Sequence, residues 1–229
     1  MSTVSYLAFH ASDGLRDDTE LLIKNSQARI KESQIGQMNL VMSKFVVEML
    51  DQFFLDTCEA VQLGPMGTKI VRGGANTLSA TANMLIKQLY KKRTNDELYP
   101  VIEYIDSTFI RATDASNGKA SIVCPIEDSL YDNLMHDIGE IRKGNFQHSG
   151  SLTELMLEVN DAAMVGYAET PIGMLKMNFV AKKVTNTGLE AGRSTSKMVI
   201  NKVFRTLEDD QMGRLADYVE SFFITAPQK

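Results

Sequence analysis

Apolar residues recur every three or four positions along most of the chain, which is the spacing of one face of an α-helix. The clearest case is the segment 68–93. Its apolar stripe advances by 4, 3, 4, 3 and 4 positions through Val71, Ala75, Leu78, Ala82, Leu85 and Leu89. Such a stripe predicts a helix packed closely along a neighbour. The best candidate for that neighbour is the strongly apolar segment 45–61, or the same face of a second subunit.

The same reasoning predicts helices through the rest of the chain. They cover 17–63 with an interruption near Gly36, a helix around Val101, Ile105 and Phe109, then 127–143, a segment running towards Glu169 that Pro171 ends or bends, 174–184, 194–207 and a last helix in "LEDDQMGRLADYVESFFI". Asn117-Gly118 is a turn signal beside the β-leaning run "SIVC", so one short β-hairpin is predicted near 108–124. The predicted fold is an all-α, multi-helix bundle over a single domain, 1–229, with a subdivision near 113–125 as the alternative.

The composition also indicates the cellular compartment. The two cysteines, Cys58 and Cys124, are far apart and form no CxxC pair, which argues against a disulfide framework or a cysteine zinc site. The first residues have neither the basic start nor the apolar run of a signal peptide. The most apolar stretch, "FVVEMLDQFFL", is interrupted by Glu48 and Asp51 and is too short to cross a bilayer. A cytoplasmic protein without membrane insertion is therefore expected.

Charge is distributed in blocks of opposite sign. Residues 61–93 carry six basic and no acidic residues, residues 94–170 carry four basic and fourteen acidic residues, and residues 171–205 carry seven basic residues and one acidic residue. Such blocks can neutralise one another within the fold or between subunits. They can also leave basic patches available to an anionic partner.

The stretch "LMHDIGEI" is the strongest sign of chemistry. It resembles the "LHDIG" core of the HD-domain metal-dependent phosphohydrolases, in which adjacent His and Asp residues hold a metal that activates water. The resemblance implies metal ligation by His136 and Asp137, with another histidine upstream and an aspartate downstream. The remaining candidates here are His148 and Asp161, which do not follow the family's order. The alternative, which we favour, is that His136-Asp137 faces water on an ordinary amphipathic helix, and we expect no cofactor.

A nucleic-acid interface is a second hypothesis. The segment 176–205 has two predicted helices around a glycine, the outline of a helix-turn-helix, although its connection is too long. Together with the basic segment 69–93 it offers phosphate-binding candidates, which are Lys182, Lys183, Arg193, Lys197 and Lys202. The competing interpretation is that these cations neutralise the acidic segment 94–170.

Other enzymatic signatures are absent from the sequence. "VRGGANT" lacks the spacing of a phosphate-binding loop, and no GxSxG nucleophile elbow is present. The leading hypothesis is a non-enzymatic helical interaction or regulatory protein that self-associates or binds a protein partner. The alternative is a metal-dependent phosphohydrolase centred on His136-Asp137, and the second alternative is a nucleic-acid-binding protein using segments 69–93 and 176–205.

Overall fold

The computed structural model describes residues 3–111 and 118–227. Helices contain most of these residues, and the strands form one small antiparallel sheet. The prediction of a mostly α-helical bundle with a short β element is therefore confirmed. Asn117 of the predicted turn lies outside the described residues.

The strands lie near the two ends of the chain and on either side of residues 112–117, and helices occupy most of the rest. The helices are α1 (Asp13–Gln27), α2 (Ile35–Leu50), α3 (Asp56–Ala60), α4 (Pro65–Tyr90), α5 (Asn95–Thr108), α6 (Asp128–Arg142), α7 (Ser149–Met164), α8 (Thr170–Gly173), α9 (Phe179–Phe204) and α10 (Asp209–Glu220). The strands are β1 (Thr3–His10), β2 (Phe109–Ile110), β3 (Ser121–Pro125) and β4 (Phe223–Pro227).

The sheet has the strand order β2-β3-β1-β4, and all its pairs are antiparallel. Pairing of β2 with β3 agrees with the hairpin expected near 108–124. The other two strands differ from the prediction, and β4 begins where the last helix was predicted to continue. Side chains alternate across β1, so that Leu7 and Phe9 enter the helical core while Ala8 faces the opposite side. The sheet thus closes one side of the helical core.

The helix pair α4–α9 forms the most extensive helix contact of the described residues. It runs antiparallel, because Gly74 of α4 lies against Val199 and Leu85 lies against Gly188. A β-carbon on Gly74 would overlap a methyl group of Val199. The predicted neighbour also contacts α4, since α2 packs beside it. The stripe in α4 therefore serves two partners, of which the sequence pattern indicated one.

The prediction of two separate helices, 174–184 and 194–207, is wrong, because α9 is continuous. Glycine costs a helix interior only about 1 kcal/mol relative to alanine. Gly188 is buried against Leu85, and close packing there outweighs the weak local preference. The glycines that suggested an interruption are instead positions where neighbouring helices approach closely.

Two helical runs contain a π-helical turn, at Asp51–Leu55 between α2 and α3 and at Val165–Glu169 between α7 and α8. A π-turn inserts one extra residue and re-aims the side chains around it. In the second turn the Tyr167 hydroxyl donates to the carbonyl oxygen of Leu7 at 2.8 Å, and the carbonyl oxygen of Ile122 is also within reach at 3.1 Å. The turn therefore ties the bundle to the sheet.

The interruption near Gly36 lies earlier than predicted, since α1 ends at Gln27 and α2 already contains Gly36. Arg29, in the connection, has a positive φ of 50°.

Among the described residues, no helix has the combined length and apolarity that a membrane span requires.

Candidate functional site

His136 and Asp137 lie on α6, next to each other but in different environments. Leu134, Ile138 and Ile141 bury one face of α6 in the core. Asp137 borders that face and is only 4% exposed, whereas His136 is exposed. The expectation that both face water therefore does not describe Asp137. A nearly buried carboxylate requires partners, because an isolated ionised group is costly to desolvate.

His148 supplies one such partner. It ends a short 3₁₀ turn, Phe146–His148, which connects α6 to α7 and carries the ring back over α6. His148 Nδ1 lies 2.6 Å from Asp137 Oδ1, and the rings of His136 and His148 pack edge to face with centroids 5.5 Å apart. In the neutral tautomer that carries its proton on Nδ1, His148 donates to Asp137 Oδ1, and its Nε2 is the nitrogen that can bind a metal.

The three side chains form a candidate metal centre. One ligand atom from each of His136, Asp137 and His148 can be chosen so that all lie within 4.8 Å of one another. The Oδ2 atom of Asp137 is buried and has no hydrogen-bond partner. Two imidazoles and a carboxylate suit first-row transition metals such as Zn²⁺.

Asp161 does not join this group. Its carboxylate binds the cations of α9, with Oδ1 2.6 Å from Arg193 Nη1 and Oδ2 2.6 Å from Lys197 Nζ. The histidine and aspartate that the HD pattern would place on either side of His136-Asp137 are thus replaced, in this structure, by one downstream histidine.

The candidate phosphate-binding residues fall into two groups. Arg193 also pairs with Glu169 at 2.5 Å, so Arg193 and Lys197 are neutralised by carboxylates of the acidic segment 94–170. Lys182, Lys183 and Lys202 are exposed and form no ion pair within the part of the chain that the structure describes. The two competing interpretations of this segment therefore each fit some of its cations.

Two of the unpaired lysines, Lys182 and Lys183, lie at one end of the α4–α9 pair. Because the pair is antiparallel, the last turns of α4 and the first turns of α9 share this end. Arg93 connects them, since its Nη1 donates a 2.6 Å hydrogen bond to the carbonyl of Lys176. Phe179 and Val180 project here with 82% and 68% of their surface exposed. We call this surface the basic end, and it consists of Lys87, Lys91, Lys92, Lys176, Phe179, Val180, Lys182 and Lys183.

An acidic groove lies where β3, α6 and α7 meet. Glu127 and Glu158 line it, together with apolar Ile126 and Val165. Val165 is 46% exposed, and both carboxylates are exposed without an ion pair among the described residues. The groove therefore combines negative charge with apolar surface, the inverse of the basic end.

A central pocket between α2, α4, α7 and α9 was not anticipated from the sequence. It has a volume of ≈ 170 Å³ and an almost entirely apolar lining. The available signal was the mixture of Ala, Gly and Met along the inner faces, where larger aliphatic side chains would fill the space.

Comparisons with protein families, with curated proteins and with solved structures find no match for this chain. The functional assignment therefore depends on the geometry of four features, which are the basic end, the acidic groove, the candidate metal centre and the central pocket.

Proposed function

We propose that this protein is a non-enzymatic helical interaction module that self-associates, with the basic end of one copy docking in the acidic groove of another. The supporting observation is the exposure of Phe179 and Val180 among lysines that have no carboxylate partner in the described residues. Exposed apolar side chains are common singly, but a contiguous apolar patch rimmed by charge is typical of interaction surfaces.

Charge complementarity favours a second copy as the partner. The acidic groove offers Glu127 and Glu158 beside apolar surface, so it can receive both the lysines and Phe179. Rim charges of this kind mainly steer association and fix its register, while the apolar contact supplies affinity. A nucleic acid would use the same lysines but would gain less from Val180.

The test is sedimentation velocity over a range of concentrations at low and high salt. The protein should associate at low salt and dissociate as salt screens the rim charges. Phe179→Ser combined with Val180→Ser should abolish association without loss of folding, because both side chains are exposed. Met66→Ser is the matched control, since Met66 is 79% exposed at the opposite end of α4.

Charge reversal then identifies the groove. Lys182→Glu with Lys183→Glu should weaken association, as should Glu127→Lys with Glu158→Lys, and mixing the two variants should restore it. A protein that stays monomeric at every concentration would contradict the proposal. Salt-sensitive binding to duplex DNA by such a monomer would favour the nucleic-acid alternative.

Metal-dependent phosphohydrolysis is the second candidate function. The observation in its favour is the meeting of His136, Asp137 and His148, three potential ligands drawn from two elements. A metal held there would polarise a phosphoryl oxygen or activate a bound water. His148 would be oriented by its hydrogen bond to Asp137, as metal-bound histidines commonly are.

Its test is hydrolysis of bis(p-nitrophenyl) phosphate with and without added Mn²⁺. Activity that depends on metal and is lost in Asp137→Asn, but retained in Asp132→Asn on the same helix, would support it. Stoichiometric metal binding without turnover would support a metal-binding site but contradict the hydrolase function.

A further inference from the structure

We infer that the central pocket is a binding site for a small apolar molecule that carries a single hydrogen-bond acceptor, such as a ketone or an ester. This inference goes beyond self-association, since it concerns the interior of the bundle. It depends on neither the basic end nor the candidate metal centre.

The available space sets the size of the ligand. The pocket of ≈ 170 Å³ adjoins a second one of ≈ 90 Å³, and the two share Phe53, Phe54, Asn160 and Ala163 in their walls. An engineered protein cavity of about 150 Å³ lined by apolar side chains binds benzene. The central pocket therefore has room for a six-membered ring with a short substituent that points towards the second pocket.

Asn160 sets the chemistry of the ligand. It lies in the wall common to both pockets, and its Nδ2 atom is buried without a hydrogen-bond partner. Two neighbouring hydroxyl groups are already committed, since Thr57 donates to the carbonyl of Phe53 and Ser196 to that of Gly192. Among the polar groups of the walls, which also include the hydroxyls of Thr81 and Tyr90, the amide of Asn160 is the buried donor without a partner; a rotation of this side chain would present it to one acceptor oxygen of a ligand.

Water is a poor occupant of this space. A buried water needs two to four polar partners, whereas the surface that the walls present to the pocket is almost entirely apolar. The walls can also adjust to a ligand, because unbranched Met42, Met49 and Met164 line the pocket. Both π-helical turns contribute wall residues, Phe53 and Tyr167, and π-turns are frequent at functional sites.

The test uses two probes of nearly equal shape, acetophenone and ethylbenzene, which differ in a carbonyl group. Affinities are measured by titration calorimetry, and the site is located by nuclear Overhauser effects from each probe to ¹³C-labelled methionine methyls. We expect both probes to contact Met42, Met49 and Met164. Acetophenone should bind about 2- to 10-fold more tightly, the range of one net hydrogen bond.

Two variants separate the parts of the inference. Asn160→Leu should equalise the two affinities while keeping ethylbenzene bound. Ala82→Phe, which places a ring inside the pocket, should abolish binding of both probes. The Overhauser contacts of the unmodified protein decide the location even if Ala82→Phe fails to fold. Absence of binding, equal affinities in the unmodified protein, or contacts to other methionines would each overturn the inference.

Discussion

The two ends of the α4–α9 pair carry similar basic residues in different surroundings. Towards the end containing Gly74 and Val199, Arg193 and Lys197 of α9 are paired with Asp161 of α7, although Lys202 of the same helix has no ion pair among the described residues. At the basic end the lysines have no such partners among the described residues, and Phe179 projects outwards. The difference shows that a basic segment acquires its role from which carboxylates the fold brings within reach.

The strongest test of this comparison is a charge placed in the contact between α4 and α9. Leu85 is 6% exposed and packs against Gly188, just inside the basic end. Leu85→Glu should lower the free energy of unfolding by about 3 kcal/mol or more, because a buried carboxylate would lack a partner. Urea denaturation measures the loss. Met84→Glu, at a neighbouring residue that is 51% exposed, should change stability little. A Leu85→Glu variant with an unchanged free energy of unfolding would mean that α4 and α9 are not in contact at Leu85.

A smaller effect is expected where Gly74 of α4 contacts Val199 of α9. Gly74→Ala would push a methyl against Val199, and overpacking of this kind costs about 1–3 kcal/mol. Gly73→Ala, one position earlier, meets open space and should stabilise the helix by about 0.5–1 kcal/mol. Thermal denaturation of the two variants should therefore shift in opposite directions. Equal shifts would show that the helices are not in contact at Gly74.

The paired and unpaired cations can be compared directly. Lys197→Ala breaks a partly exposed ion pair and should cost about 0.5–1 kcal/mol, less in high salt. Lys182→Ala, on the same helix at the basic end, should cost almost nothing in the monomer. The measurement is the free energy of unfolding at two salt concentrations. An equal loss in both variants would contradict the distinction between the paired and the unpaired cations of α9.

The smallest effect concerns pH at the helix that follows α4. The carboxyl pKa of Glu97 is lowered from 4.5, first by the backbone N–H of Thr94 and then by Arg93. A lowered pKa in the folded state contributes stability above pH 4.5, and this is lost as pH falls through the folded value. Glu97→Gln should therefore be slightly less stable at neutral pH and equal to the unmodified protein in acid. A difference that persists in acid would assign the effect to packing.

The helices could be predicted because their apolar stripes are local. Val71, Leu78 and Leu85 lie on one face of α4 whatever the fold around them. The β1 strand could not be predicted with the same security, because the alternation of Leu7 and Phe9 with Ala8 and His10 is a short and weak signal. Its partner β4 is near the other end of the chain, and no local pattern announces that pairing.

The candidate metal centre was only partly predictable. His136 and Asp137 are adjacent in sequence and share a helix, so a motif could find them. The position of His148 depends on how the connection from α6 to α7 folds back. Asp161 was an equally reasonable candidate on sequence, but Arg193 and Lys197 of α9 bind it instead. Tertiary packing alone distinguishes these two residues.

The pairing of β1 with β4 also constrains how the protein is made. In the backbone register Leu7 pairs with Phe223 and Thr3 with Pro227, so the interior strand of the sheet is completed by almost the last described residues. During synthesis β1 has an open edge until β4 has left the ribosome, and unpaired edges are templates for association with other chains. Closing so long a loop is also slow relative to helix formation. The helices that precede β4 can therefore form before the pair of β1 with β4 does.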